Sequence, residues 1–170
     1  MLSMPRGATT RVKKRLAEAL RLIEERGCIS TSLIASALGA SMSNAYYAAR
    51  LLEREGAVLQ VALGQHSLWC AGREAAETVL FELKRELARV LCRSGARYAT
   101  PARTYELVAA DKQARSTFLK YVPLEKTTMS LINALLYQMF GDPIKYRYRG
   151  VQPVYYVPPE TCRKIGEEAV

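Results

Sequence analysis

Apolar residues recur at helical spacing near the start of the chain. Val12, Leu16, Leu20 and Ile23 fall on one face of a helix predicted from about Thr10 to Arg26, with Gly27 as its stop. The run "CIS" at 28–30 reads as a very short strand. Thr31 is placed to cap a second helix, whose apolar face is Leu33, Ile34, Ala37 and Leu38 and whose end is Gly39. Ser41 restarts the chain as a third helix running to about Gly56, with Ala45, Ala49 and Leu52 as its main apolar teeth. Beyond it, "AVLQVAL" and "SLWCA" read as two strands joined by a turn at "GQH".

The second half starts with a stronger stripe: Ala76, Val79, Leu80, Leu83, Leu87, Val90 and Leu91 predict a long helix over about 74–92. "RSGARYAT" breaks it, and 97–100 has room for a short strand. Pro101 suits the first turn of a helix through Tyr105 and Val108. "DKQARSTFLKYV" continues or restarts it before Pro123. Thr127 or Thr128 then caps a helix with Met129, Ile132, Leu136 and Met139 on one side, ended by Gly141. "IKYRYRGVQPVYYV" predicts two strands around Gly150, and a short helix follows Pro158 and Pro159.

The element order of the first half thus returns in the second with little identity. The expected fold is mainly α with small β-hairpins (an α+β chain), in two tandem units. One spans residues 1–72. The other spans 73–170 and begins with the long helix, which acts partly as a connector.

Charge narrows the choice of partner. The 170 residues carry a formal net charge of +9, and 49% of them are hydrophobic. Nine basic against five acidic residues lie before position 73, and sixteen against eleven from position 73 onward. An excess on both halves favours a polyanion, through phosphate neutralisation and counterion release. The bland reading is a soluble, Arg-rich surface of thermophile type, to which the scarcity of Asn, Gln and His also points. No apolar run is long enough to cross a membrane. The basic start lacks the apolar stretch of a secretion signal. The expected location is therefore intracellular and cytoplasmic, on the nucleoid if DNA is bound.

The four cysteines, Cys28, Cys70, Cys92 and Cys162, form no C-x-x-C pair, and His66 is the single histidine. No metal or cofactor is expected. Free buried thiols are the expectation for an intracellular chain. One pairing stands beside it: if Cys28 opens a first strand and Cys70 closes a third, the two face each other across a small sheet.

The stretch "ISTSLIASALGASMSNAYYAARLLEREGAV" resembles the winged helix-turn-helix family of transcriptional regulators. It has a small-residue turn at Gly39-Ala40-Ser41, a polar helix start, and an "LLEREGAV" exit into the wing. The resemblance covers residues 28–71 closely, and the element order extends it to the second half. It implies that the third helix enters the major groove while the hairpin touches the flanking backbone. Ser41, Met42, Ser43, Asn44, Tyr46, Tyr47 and Arg50 would then lie on or beside DNA. Ser41 and Ser43 at a helix start suit a phosphate, Asn44 an adenine, and Arg50 a guanine or phosphate. The small Ala45, Ala48 and Ala49 permit close packing on the second helix. The alternative is structural: Ser41 as a cap, Tyr46 and Tyr47 as covers over neighbouring helices, Arg50 as a solvated charge near Glu53 or Arg54.

The first hairpin departs from the family pattern, because no Lys or Arg lies between Val58 and Ala71. His66 reads as an exposed residue at its tip. The second hairpin is the opposite. "KYRYRG" puts Lys145, Arg147 and Arg149 on one face by strand alternation, either as a phosphate-binding edge or as a protected edge strand. The helix before it would present Thr128, Ser130, Asn133, Tyr137 and Gln138.

The expected function is binding of double-stranded DNA, as a transcriptional regulator acting through tandem winged helices, alone or as a homodimer. The alternative is a protein-interaction adaptor within a replication, transcription or chromatin assembly. Enzymatic function is not expected: with one His, two Asp, no Gly-rich phosphate loop and no metal-ligand cluster, few routes to catalysis remain.

Overall fold

A computed structural model describes residues 10–144 and 152–168. The chain is mainly helical with small antiparallel sheets, and it divides into two compact units. The first comprises residues 1–62, 66–79 and 120–123, and the second residues 63–65, 80–119 and 124–170. Neither unit is one continuous stretch of chain.

In the first unit, α1 (Thr10–Arg26) buries Leu16, Ala19 and Ile23, the face that its apolar spacing marks. Strand β1 (Cys28–Ser30) leads directly into α2 (Thr31–Leu38). Ser30, not Thr31, caps that helix: its Oγ accepts the Leu33 N–H at 3.2 Å. Gly39 ends α2 in the left-handed conformation (φ 60°), which only glycine adopts cheaply. Next come α3 (Met42–Arg54), β2 (Leu59–Leu63) and β3 (His66–Cys70). The sheet order is β1-β3-β2, with Cys28 opposite Cys70, Ile29 opposite Trp69 and Ser30 opposite Leu68.

Trp69 anchors this core. It is fully buried, and its indole N–H donates to Thr31 Oγ1 at 2.8 Å. Thr31 gave up the predicted capping role and serves the tryptophan instead. Thr31→Val keeps the shape and orphans that buried donor, so unfolding free energy falls by about 1–3 kcal/mol. Urea denaturation followed by Trp69 fluorescence measures the loss, and an unchanged midpoint would show the bond to be dispensable.

The segment 120–123 completes the first unit. The Tyr121 carbonyl accepts the Ser30 N–H at 2.8 Å, the Lys120 carbonyl accepts from the Arg26 guanidinium at 2.8 Å, and both Tyr121 and Val122 are buried.

In the second unit, α4 (Arg73–Arg93), which starts in the first, supplies the buried Leu83, Leu87, Val90 and Leu91. The apolar stripe of this helix is therefore core. Strand β4 (Tyr98–Ala99) precedes α5 (Pro101–Ala110), with Thr100 Oγ1 accepting the Arg103 N–H as its cap. Helices α6 (Lys112–Leu119) and α7 (Thr128–Phe140) follow, then β5 (Tyr155–Tyr156) and α8 (Pro159–Glu168). Strand β5 pairs antiparallel with β4, Tyr98 opposite Tyr156 and Ala99 opposite Tyr155, and an antiparallel bridge joins Ile144 to Val154. The turn predicted at Gly150 lies outside the described residues.

The cysteines overturn the expectation of free thiols. Cys28 is bonded to Cys70, and Cys92 at the end of α4 is bonded to Cys162 in α8. The first bridge joins directly opposed residues of β1 and β3, as their strand positions allow. The second joins two helices whose alignment no local pattern shows. No helix is long and apolar enough to cross a membrane among the described residues.

Candidate nucleic-acid interface

The N-terminal turn of α3 projects from the first unit. Ser41 caps it, its Oγ accepting the Asn44 N–H at 3.1 Å, and Ser41, Met42, Ser43 and Asn44 are all exposed. The opposite face is made of small residues: Ala45, Ala48 and Ala49 are buried with Leu51 and Leu52. Alanines at these positions let the α3 backbone sit close against the unit's core and leave the polar side of the helix outermost.

Along that outer side, Ser43, Tyr47, Arg50 and Arg54 follow at three- and four-residue steps, and Tyr47 is 55% exposed. Tyr46 has two faces. It is 43% exposed, and its ring meets Trp69 edge-on with centroids 5.5 Å apart. Part of its surface therefore belongs to the core. Arg50 is half-buried and donates to the carboxylate of Glu53, one turn on. Binding a phosphate or base with Arg50 requires exchanging that partner.

The hairpin carries no cation, and its polar side chains are few. Gln60 Nε2 donates to Ser67 Oγ at 2.7 Å, linking β2 to β3. His66 is not at an exposed tip: the turn is only Gly64-Gln65, so His66 opens β3 and is buried. The tip residues 63–65 belong to the second unit. There the Gln65 N–H donates to Ser130 Oγ at 2.8 Å. Gly64 has φ 60°, and a Cβ at this position would collide with the Ser130 backbone, so glycine is required twice over.

Lys145, Arg147 and Arg149 lie outside the described residues. On the helix before them, α7, most of the polar set is used internally. Thr128 is buried, and its Oγ1 accepts the Glu125 N–H. Ser130 holds Gln65, and Asn133 Oδ1 accepts from the Tyr155 hydroxyl. Tyr137 and Gln138 remain exposed. The five residues therefore do not form one reading face.

A polar cluster that sequence reasoning missed lies on α4 and the α5–α6 junction. Arg89 donates to both carboxylate oxygens of Asp111 and to Glu86, and Gln113 donates to Glu86. The available signal was Asp111 itself, an N-cap residue type just before a helical restart. Its Oδ1 accepts the Ala114 N–H at 2.9 Å. Among the described residues, no group of three or more His, Cys, Asp or Glu could hold a metal ion.

No protein-family model matches the chain. No curated protein matches it either. A solved structure does: the crystal structure of hypothetical protein PyrSV_gp04 from Pyrobaculum spherical virus superposes with a TM-score of 0.79 at 30% sequence identity. The match covers 88% of this chain and 97% of that one, so both units take part in it. This chain belongs to the same protein family as PyrSV_gp04 of Pyrobaculum spherical virus.

Proposed function

We propose that the chain is a double-stranded DNA-binding protein of winged helix-turn-helix type, acting as a transcriptional regulator with α3 as its recognition helix. The observation that carries this reading is the two-sidedness of α3: an alanine face turned inward, and outward the exposed Ser43, Asn44 and Tyr47, with Arg50 beside them on its Glu53 partner. These types can donate to phosphates and base edges in a major groove. The strand order supports the fold reading. β1-β3-β2 places the first strand beside the far arm of the hairpin, and in the second unit β4 lies beside β5, with Ile144 bridged to Val154 just before it. On this proposal the second unit acts as a second winged helix, with Lys145, Arg147 and Arg149 as its phosphate contacts.

Fluorescence anisotropy with a labelled duplex, titrated with salt, tests the proposal. Affinity should fall steeply as salt rises. Arg50→Ala should lower discrimination between sequences by about 1–3 kcal/mol, whereas Lys145→Ala should weaken all duplexes alike. Glu53→Gln frees the guanidinium and should tighten binding, which a purely structural Arg50 would not do. No binding at low salt would sink the proposal.

A protein-interaction adaptor is the second reading. It is favoured by the Arg50–Glu53 pair and by a first hairpin whose polar groups bond to each other. A stoichiometric protein partner that competes with no duplex would establish it.

A further inference from the structure

The second unit contains a groove that DNA binding by α3 does not use. It lies between α4, α7 and α8 and has a volume of about 540 Å³. Its apolar wall includes Phe81 from α4, Met139 and Phe140 from α7, and Ile165 from α8. Phe81 is 59% exposed, which is costly for an aromatic ring that nothing covers. Lys84, Arg85 and Lys164 also line the groove. Glu160 is the one acid among the lining residues, and its carboxylate pairs with Arg163 at 3.0 Å.

The geometry points to a binding site for a small amphiphilic anion, a carboxylate carrying an apolar tail. The tail lies along Phe81, Phe140 and Ile165, and the carboxylate meets Lys84 and Lys164. The volume is that of small-molecule sites, which run from about 300 to 1,000 Å³. The charge selects the ligand's head: Lys84 and Lys164 against an acid already paired with Arg163 favour an anion and disfavour a cation of the same shape. The groove is also pre-formed. The Cys92–Cys162 bridge ties α8 to α4, so two of its walls are covalently joined before any ligand arrives.

The test uses the full oxidised chain with decanoate, and decanol as its uncharged counterpart. Decanoate should displace 1-anilinonaphthalene-8-sulfonate from a single saturable site, with decanol markedly weaker. Phe81→Ala should weaken decanoate about tenfold. The double variant Lys84→Glu with Lys164→Glu should weaken it about fivefold while leaving decanol unchanged. Thermal melts of each variant at the wild-type midpoint verify the fold, which these surface positions should preserve. Equal binding of decanol and decanoate, or decanoate binding indifferent to these variants, would overturn the inference. So would displacement of the dye only by an acidic amphipathic peptide, or a dimer lost in Phe81→Ala without decanoate binding; each assigns the groove to a protein.

Discussion

Reduction of the oxidised protein should lower its unfolding free energy by about 4 kcal/mol for each bridge. The bonds Cys28–Cys70 and Cys92–Cys162 close loops with sequence separations of 42 and 70 residues. Long loops lose the most denatured-state entropy when closed. The two loops do not overlap, so the contributions should be nearly additive. Their sum is comparable with the whole stability of a typical domain, about 5–15 kcal/mol. Urea melts with and without reductant measure the total, and the serine pairs C28S/C70S and C92S/C162S separate the halves. Coincident melts of oxidised and reduced protein would refute the expectation.

The second large effect is expected at Asp111. Arg89 holds it through two hydrogen bonds, at 2.5 and 3.2 Å, and Arg93 approaches it at 3.3 Å. Both Arg89 and Asp111 side chains are mostly buried. Asp111→Ala leaves the Arg89 charge with only Glu86 and removes the cap on α6. A loss of about 3 kcal/mol follows, at the low end for a broken buried pair because Arg93 is largely solvated.

The same carboxylate predicts an acid response. The Arg89 bond, and after it the Ala114 N–H, lower the Asp111 pKa from 3.8 to about 2. Because the folded-state pKa is depressed, this stabilisation is fully present above about pH 4 and is lost as pH falls through 2. Arg89 is shifted upward, chiefly by the Asp111 bond, and stays charged throughout. Stability of Asp111→Asn should therefore change less between pH 4 and pH 2 than that of the wild type. Parallel curves would show that another carboxylate governs the acid limb.

Local pattern carried much of this architecture. The spacing of Val12, Leu16, Leu20 and Ile23 marked α1 over its observed span, and the polar start of α3 marked an exposed helix end. Strand placement alone could put Cys28 opposite Cys70. What stayed hidden depends on partners remote in the chain. Ser130 and Asn133 look like free polar groups until Gln65 and Tyr155 arrive to bond them. Thr31 looks like a cap until Trp69, 38 residues later, claims its hydroxyl. His66 was misplaced by a turn one residue shorter than "GQH" suggests, and in a hairpin one residue decides whether a side chain belongs to the loop or the strand. The Arg89–Asp111 pair spans 22 residues and two helices, beyond any periodicity.

The short segment 120–123 has a consequence for how the protein can be handled. A fragment ending near residue 72 would lack the Tyr121 carbonyl that holds Ser30, and the buried Tyr121 and Val122. A fragment starting there would lack the hairpin tip that donates to Ser130. Neither half can be excised by a single cut without stripping the other of a structural part. The two units are therefore not separable by one cut in the chain. A fragment cut near residue 72 should be less stable than the same unit within the full chain, and urea melts of the fragment and the whole protein compare the two.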